Sequence, residues 1–283
     1  MKAISSRRTF LCGCLSAGGL VIGTPSPAKA EFEEEGFICG ALPIADDDIE
    51  LANDLPDEFE VQPGEASEFK TTPFGVASAK KRWRRKDGLT PNTGLITLGV
   101  FFYNGSDSRK SDLKQKAEGW LDERLSKKIA FRFDVDEKDA HIRVNFSSKH
   151  GNNSAIGRDA LHSSFDGKPT MNIQNMRSVA HEFGHALCLR HEHRHEEKPF
   201  TFNEEAVIKE LAGPPNNWTE STTRRNILSP LANAKCIGDP AFNEDSVMIY
   251  RIPARWTNEG ESFSPNRKIS DRDRNCMYSL YKA

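Results

Sequence analysis

The chain has 283 residues, of which 37% are hydrophobic and 20 are glycine, and its formal net charge is −2. That length holds one or two domains with an ordinary core. The near-neutral charge argues against a general nucleic-acid-binding surface, and no apolar stretch reaches the roughly 18 residues that stable membrane insertion of a helix requires.

The first thirty residues read as an address. Ser6-Arg7-Arg8-Thr9-Phe10-Leu11 resembles the twin-arginine export motif, a modest apolar run follows to Gly23, and Ala28-Lys29-Ala30 offers a small-residue cleavage site. Residues 1–30 are therefore expected to be a twin-arginine-type signal peptide, Glu31 the first mature residue, and the protein secreted or periplasmic in a bacterium. Cys12 sits at the start of the apolar run, whereas a lipobox belongs at its end, which argues against a lipid anchor. After cleavage Cys39, Cys188, Cys236 and Cys276 remain; a disulfide such as Cys236–Cys276 is permitted outside the cytoplasm, and three full pairings stay open.

Residues 31–88 read as an acidic arm or pro-segment with a basic linker. Between 31 and 60 there are twelve acidic residues and no Lys or Arg, while 80–86 is basic at every position except Trp83. Such composition suits a solvated or loosely docked arm. In Phe37-Ile38-Cys39-Gly40-Ala41-Leu42-Pro43, the Cys39 thiolate could occupy an open metal position and keep the protein latent.

A folded domain is expected from residue 89 to the end. Residues 95–103 form an almost continuous β-prone apolar run, which predicts a strand buried on both faces. Leu113, Ala117, Trp120, Leu121 and Leu125 recur at helical spacing. Residues 141–146 alternate as a strand with one buried face does. Turn-like residues 152–157 lead into a short extended segment, and 169–173 into another; an edge strand here could pair with an extended peptide.

The chemistry concentrates between 181 and 195, where five of the eight histidines fall. On a helix His181 and His185 share one face. Glu182 is then a carboxylate beside the metal, placed to take a proton from water, as H-E-x-x-H requires. His191, six residues after His185, reaches the same ion only if the chain leaves the helix near Cys188. Three neutral imidazoles leave one tetrahedral zinc position open, the signature of a catalytic Zn2+ site. Glu205, at a thermolysin-like spacing, and His193 or His195 are other candidates for the third ligand.

Downstream, Asp245-Ser246-Val247-Met248-Ile249-Tyr250 resembles the Met-turn of metzincins, with Tyr two residues after Met as in astacins. His191-Glu192 and Pro214-Pro215-Asn216-Asn217-Trp218 are similar to bacterial astacin-like secreted metalloproteases, and Ile269-Ser270-x-x-Asp273 to Tyr281 resembles their closing helix. That helix reads as one capped by Ser270 with Asp273 in the capping-box position.

The resemblance implies an α+β metzincin fold. A mixed twisted sheet with helices would form an upper subdomain, a mostly irregular and helical part a lower one, and a cleft would separate them. It also implies that Met248 floors the zinc site and that Tyr250 is a further zinc contact able to stabilise the transition state. The family has Gly three residues after the second histidine, in a positive-φ conformation; this chain has Cys188. A side chain there costs on the order of 1 kcal/mol and brings a thiol near the metal.

The expected activity is zinc-dependent hydrolysis of peptide bonds in a polypeptide substrate. Two other readings are a zinc-containing polypeptide-binding or adhesion module and a nucleic-acid binder acting through residues 80–86. Glu182 weighs against the first, since a pure binder has no use for a base, and the single basic cluster against the second.

Overall fold

The computed structural model describes residues 73–74 and 77–282, apart from 92, 148, 215, 232–235, 238–240 and 250. Residues 1–30, expected to be an export signal, Cys39 and Tyr250 lie outside the described residues. Chain order begins with a short strand β1 (Pro73–Phe74), followed by β2 (Ile96–Phe102). In β2 the side chains of Ile96, Leu98, Val100 and Phe102 alternate onto a buried face, as a pleated strand dictates. The other face, with Thr97 and Phe101, is only half-buried, so the expectation of burial on both faces is met fully on one.

Helix α1 (Asp107–Glu118) starts at Ser106, whose Oγ accepts the Arg109 amide, and buries Leu113 and Ala117. Its apolar spacing runs on past the helix end. Trp120 is fully buried beyond Gly119 with its Nε1–H on Ala180 O at 2.9 Å, and Leu125 opens a separate 3-10 turn.

Strands β3 (Ile129–Phe133), β4 (Ile142–Asn145), β5 (Asn153–Ser154) and β6 (Met171–Asn172) join β2 in one five-stranded sheet ordered β3-β2-β4-β6-β5. β2 runs parallel to β3 and β4, and β4 parallel to β6. Only the edge strand β5 is antiparallel, with Asn153 opposite Asn172 and Ser154 opposite Met171. The histidine helix α2 (Val179–Ala186) is buried at every residue. After it come α3 (Glu204–Leu211), α4 (Glu220–Thr223), β7 (Cys236–Ile237), which pairs antiparallel with β1, and α5 (Asp271–Tyr281). No described helix is long and apolar enough to cross a membrane.

Two apolar cores form. The first gathers the sheet, α1, α2 and α5 around Leu98, Trp120, Phe183 and Met277; the second gathers Phe200, Val207, Ile227, Ile252 and Trp256 from the C-terminal half. The turn after Asp245 crosses between them within one residue, because Val247 and Met248 lie in the first core and Ile249 in the second. Cys276 on α5 is disulfide-bonded, and β7, which carries Cys236, packs against α5. Its partner sulfur lies outside the described side chains.

Residues 77–88 are built into the first core. Ala77 bridges Leu189, Ser78 N–H donates to Cys188 O at 3.0 Å, and Trp83 is fully buried with its Nε1–H on Ala186 O at 2.7 Å. Lys81 pairs with Asp159, and Arg84 with Asp87. The basic run thus straps the C-terminal end of the histidine helix and supplies one of its orphan carbonyls with a donor. Replacing the buried indole leaves a large void, so Trp83→Ala should destabilise the fold by about 3–5 kcal/mol, read in denaturant unfolding of the full chain.

Candidate metal centre

Helix α2 puts His181 and His185 one turn apart, with ring centroids 4.8 Å from each other. The helix then stops in a two-bond motif: Cys188 N–H donates to His185 O and Leu189 N–H to Gly184 O, both at 2.8 Å. The residue at the reversal must be left-handed, and Cys188 has φ of +83°. Reversal brings His191 back, its ring 5.2 Å from His181 and 4.6 Å from His185. One ligand atom from each of the three histidines lies within 4.8 Å of the others, the only such group among the described residues.

Backbone carbonyls select the tautomers. His181 Nδ1 donates to Val247 O and His185 Nδ1 to Leu189 O, each at 2.8 Å. A carbonyl can only accept, so each Nδ1 carries the proton and each Nε2 presents a lone pair. His185 Nε2 and His191 Nε2 lie 3.0 Å apart, close to the separation of about 3.3 Å that two nitrogens about 2.05 Å from one tetrahedral zinc would have. His181 Nε2 is buried with no hydrogen-bond partner. Burial pushes the His181 imidazole down to about 4, and burial with neighbouring histidines pushes His185 and His191 well below the usual value. All three are neutral at pH 7, as ligation demands. The donor set therefore fits a zinc ion.

Cys188 carries its cost elsewhere than at the metal. Left-handed geometry at a residue with a Cβ costs about 1–2 kcal/mol. Its thiol points away from the histidines, to Lys81 O at 3.0 Å and Tyr281 Oη at 3.5 Å, and burial drives it up to about 12. It is a free thiol that stays protonated, and although the sequence brings it near the metal position its orientation takes it out of the ligand set. A Cβ on Gly157 would come 2.4 Å from this sulfur, so the glycine is what admits the cysteine.

The alternative third ligands lie elsewhere. His193 is buried behind His191 with its rings stacked at 5.2 Å and its Nε2 directed to Asn226 O, and His195 Nδ1 accepts the Glu197 amide. Glu205 lines an exposed groove with Ile208, Lys209 and Arg224. Glu182 is fully buried on α2, directly after His181.

The structure adds the surroundings of two residues of this stretch. Glu192 is buried, receives the Asn243 amide at 2.8 Å, and is pushed by that burial up to about 8. Gly184, inside the histidine motif, is where Met248 seats: a Cβ there would come 2.4 Å from Met248 Sδ and 3.0 Å from Trp120. Glycine within a helix is a cost of about 1 kcal/mol, and that was the available signal of a close approach. Gly184→Ala should displace Met248 and lower stability by about 1–3 kcal/mol, read as a fall in the thermal midpoint.

No protein-family profile and no curated protein sequence matches the chain. Solved structures do. Myroilysin superposes with a TM-score of 0.62 at 27% identity over 74% of this chain and 99% of its own. High choriolytic enzyme 1, a hatching enzyme zinc-protease from the medaka fish Oryzias latipes, superposes with a TM-score of 0.50 at 15% identity, over 75% of this chain and all of its own, a likeness of fold alone. With its mostly parallel five-stranded sheet, its helices and three histidines converging from one helix and the turn after it, the chain has the fold of an astacin-like metzincin zinc protease.

Proposed function

We propose that the chain is a secreted zinc-dependent endopeptidase, with His181, His185 and His191 holding the metal and Glu182 moving the proton. The observation that carries this reading is the convergence of three neutral imidazoles, one with an unpartnered buried Nε2, directly beside a buried carboxylate. Bound zinc supplies Lewis acidity that lowers the pKa of water towards ~7 and polarises a carbonyl.

The chain's own residues do the rest. Glu182 accepts the proton of the attacking water and returns it to the leaving nitrogen of the scissile bond. Tyr250, by resemblance to astacins, donates to the developing oxyanion. Met248 lies against the helix at Gly184 and keeps the ligand-bearing turn packed. The strand β5 is a free edge of the sheet beside α2, and an extended polypeptide can pair along it. Charge fits a peptide rather than a nucleic acid, because Lys81 and Arg84 of the basic run are engaged by carboxylates.

The leader at 1–30 carries the chain out of the cytoplasm through the twin-arginine route, and the acidic arm that precedes Ala77 holds the enzyme latent through Cys39. A thiolate is a strong zinc ligand and would fill the open position.

Two measurements test the reading. Glu182→Gln should keep about one zinc per chain while casein cleavage drops roughly a hundredfold or more; retention of full turnover would end the assignment of Glu182, and zinc without cleavage in the parent would favour the polypeptide-binding module. Cys39→Ala should raise chelator-sensitive casein cleavage of the unprocessed full chain several-fold, and unchanged activity would remove Cys39 from the latency device.

A further inference from the structure

Asp273 does two things in the fold. It is the third residue of α5 and closes the capping box, accepting the Ser270 amide at 2.9 Å while its own N–H goes to Ser270 Oγ at 3.0 Å. A cap needs no more than that, and such carboxylates ordinarily face water. Here the carboxylate is only 4% exposed and reaches across to the Met-turn. Its Oδ2 accepts the Val247 amide at 2.9 Å and its Oδ1 accepts the Ser246 hydroxyl at 2.6 Å.

The second set of bonds leads to the metal centre. A serine hydroxyl has one proton, and Asp273 takes it, which leaves the Ser246 oxygen lone pairs for the Met248 N–H at 3.0 Å. That N–H belongs to the same rigid peptide unit as the Val247 carbonyl. The carbonyl in turn is the acceptor that fixes His181 Nδ1 at 2.8 Å. Holding the Met248 N–H therefore aims the Val247 C=O, and aiming the Val247 C=O sets the tautomer and ring angle of His181. His185 needs no such help, since its acceptor, Leu189 O, comes from the turn that ends its own helix.

We propose that Asp273 is a positioning residue for His181, acting through Ser246 and the Val247–Met248 peptide, and that metal affinity depends on it beyond its part in capping α5. The proposal rests on the zinc-ligand reading above. Outer-sphere partners of a ligating histidine typically govern affinity ten- to a hundredfold.

The test is zinc affinity of the full chain, measured by competition with a chromophoric chelator, alongside thermal unfolding. Asp273→Asn puts an amide where a second acceptor stood and should weaken zinc binding about ten- to a hundredfold. Ser270→Ala removes the helix cap but leaves the bonds to Ser246 and Val247; it should lower the thermal midpoint and keep zinc affinity within about twofold of the parent. Ser246→Ala cuts the relay at its middle and should weaken zinc binding in the same direction as Asp273→Asn, and it decides the matter if Asp273→Asn does not fold. Parent-like affinity in Asp273→Asn or in Ser246→Ala overturns the proposal, as does a loss in Ser270→Ala equal to that in Asp273→Asn. A parent chain that binds no zinc would instead remove the underlying reading, and this proposal with it.

Discussion

The site depends on the way one short helix ends. His181 and His185 are neighbours by helical geometry alone, but His191 joins them only because the backbone reverses at Cys188, where φ is +83°. A side chain with a Cβ resists that conformation by about 1–2 kcal/mol, so the surroundings must hold it. They do so from three directions. The helix's own carbonyls accept the two bonds of the stop, the strap of residues 77–88 covers the outgoing carbonyls, and Lys81 O with Tyr281 Oη receives the thiol. The strain is local and its compensation is drawn from distant parts of the chain.

A second constraint complements the first. His181 and His185 each set their Nδ1 on a backbone carbonyl, and each of those carbonyls is itself fixed by backbone geometry or a buried side chain. Carbonyls are acceptors only, so the inward nitrogens must be bare whether or not an ion is between them. Burial reinforces this by keeping the rings neutral. The fold thus presents to a cation the neutral, lone-pair-bearing nitrogens that ligation requires.

Local signals were readable in the sequence and long-range ones were not. The H-E-x-x-H spacing, the alternation of β4, the Ser270–Asp273 cap and the break near Cys188 all arise within a few residues, and all are found in the structure. Trp83, by contrast, sits in a basic run that looks solvated, yet its indole is fully buried on a carbonyl 103 residues away. Helical spacing at Leu113 and Ala117 ran on into Trp120 and Leu125, which the core claims from outside the helix because Gly119 ends it. Glu192 and Asp273 are charged residues by letter and buried ones by contact, and nothing in a one-dimensional pattern separates those cases.

The turn that carries Val247, Met248 and Ile249 divides its side chains between two apolar cores, one built from the sheet with α1, α2 and α5 and the other from the stretch between Phe200 and Phe263. No hinge separates them at that point, because successive Cα atoms are only about 3.8 Å apart and Glu192 N–H is tied to the Met248 carbonyl. Opening either core therefore pulls on the same three residues. The two cores are thus joined through these three residues, and the Val247 carbonyl that orients His181 lies at that junction.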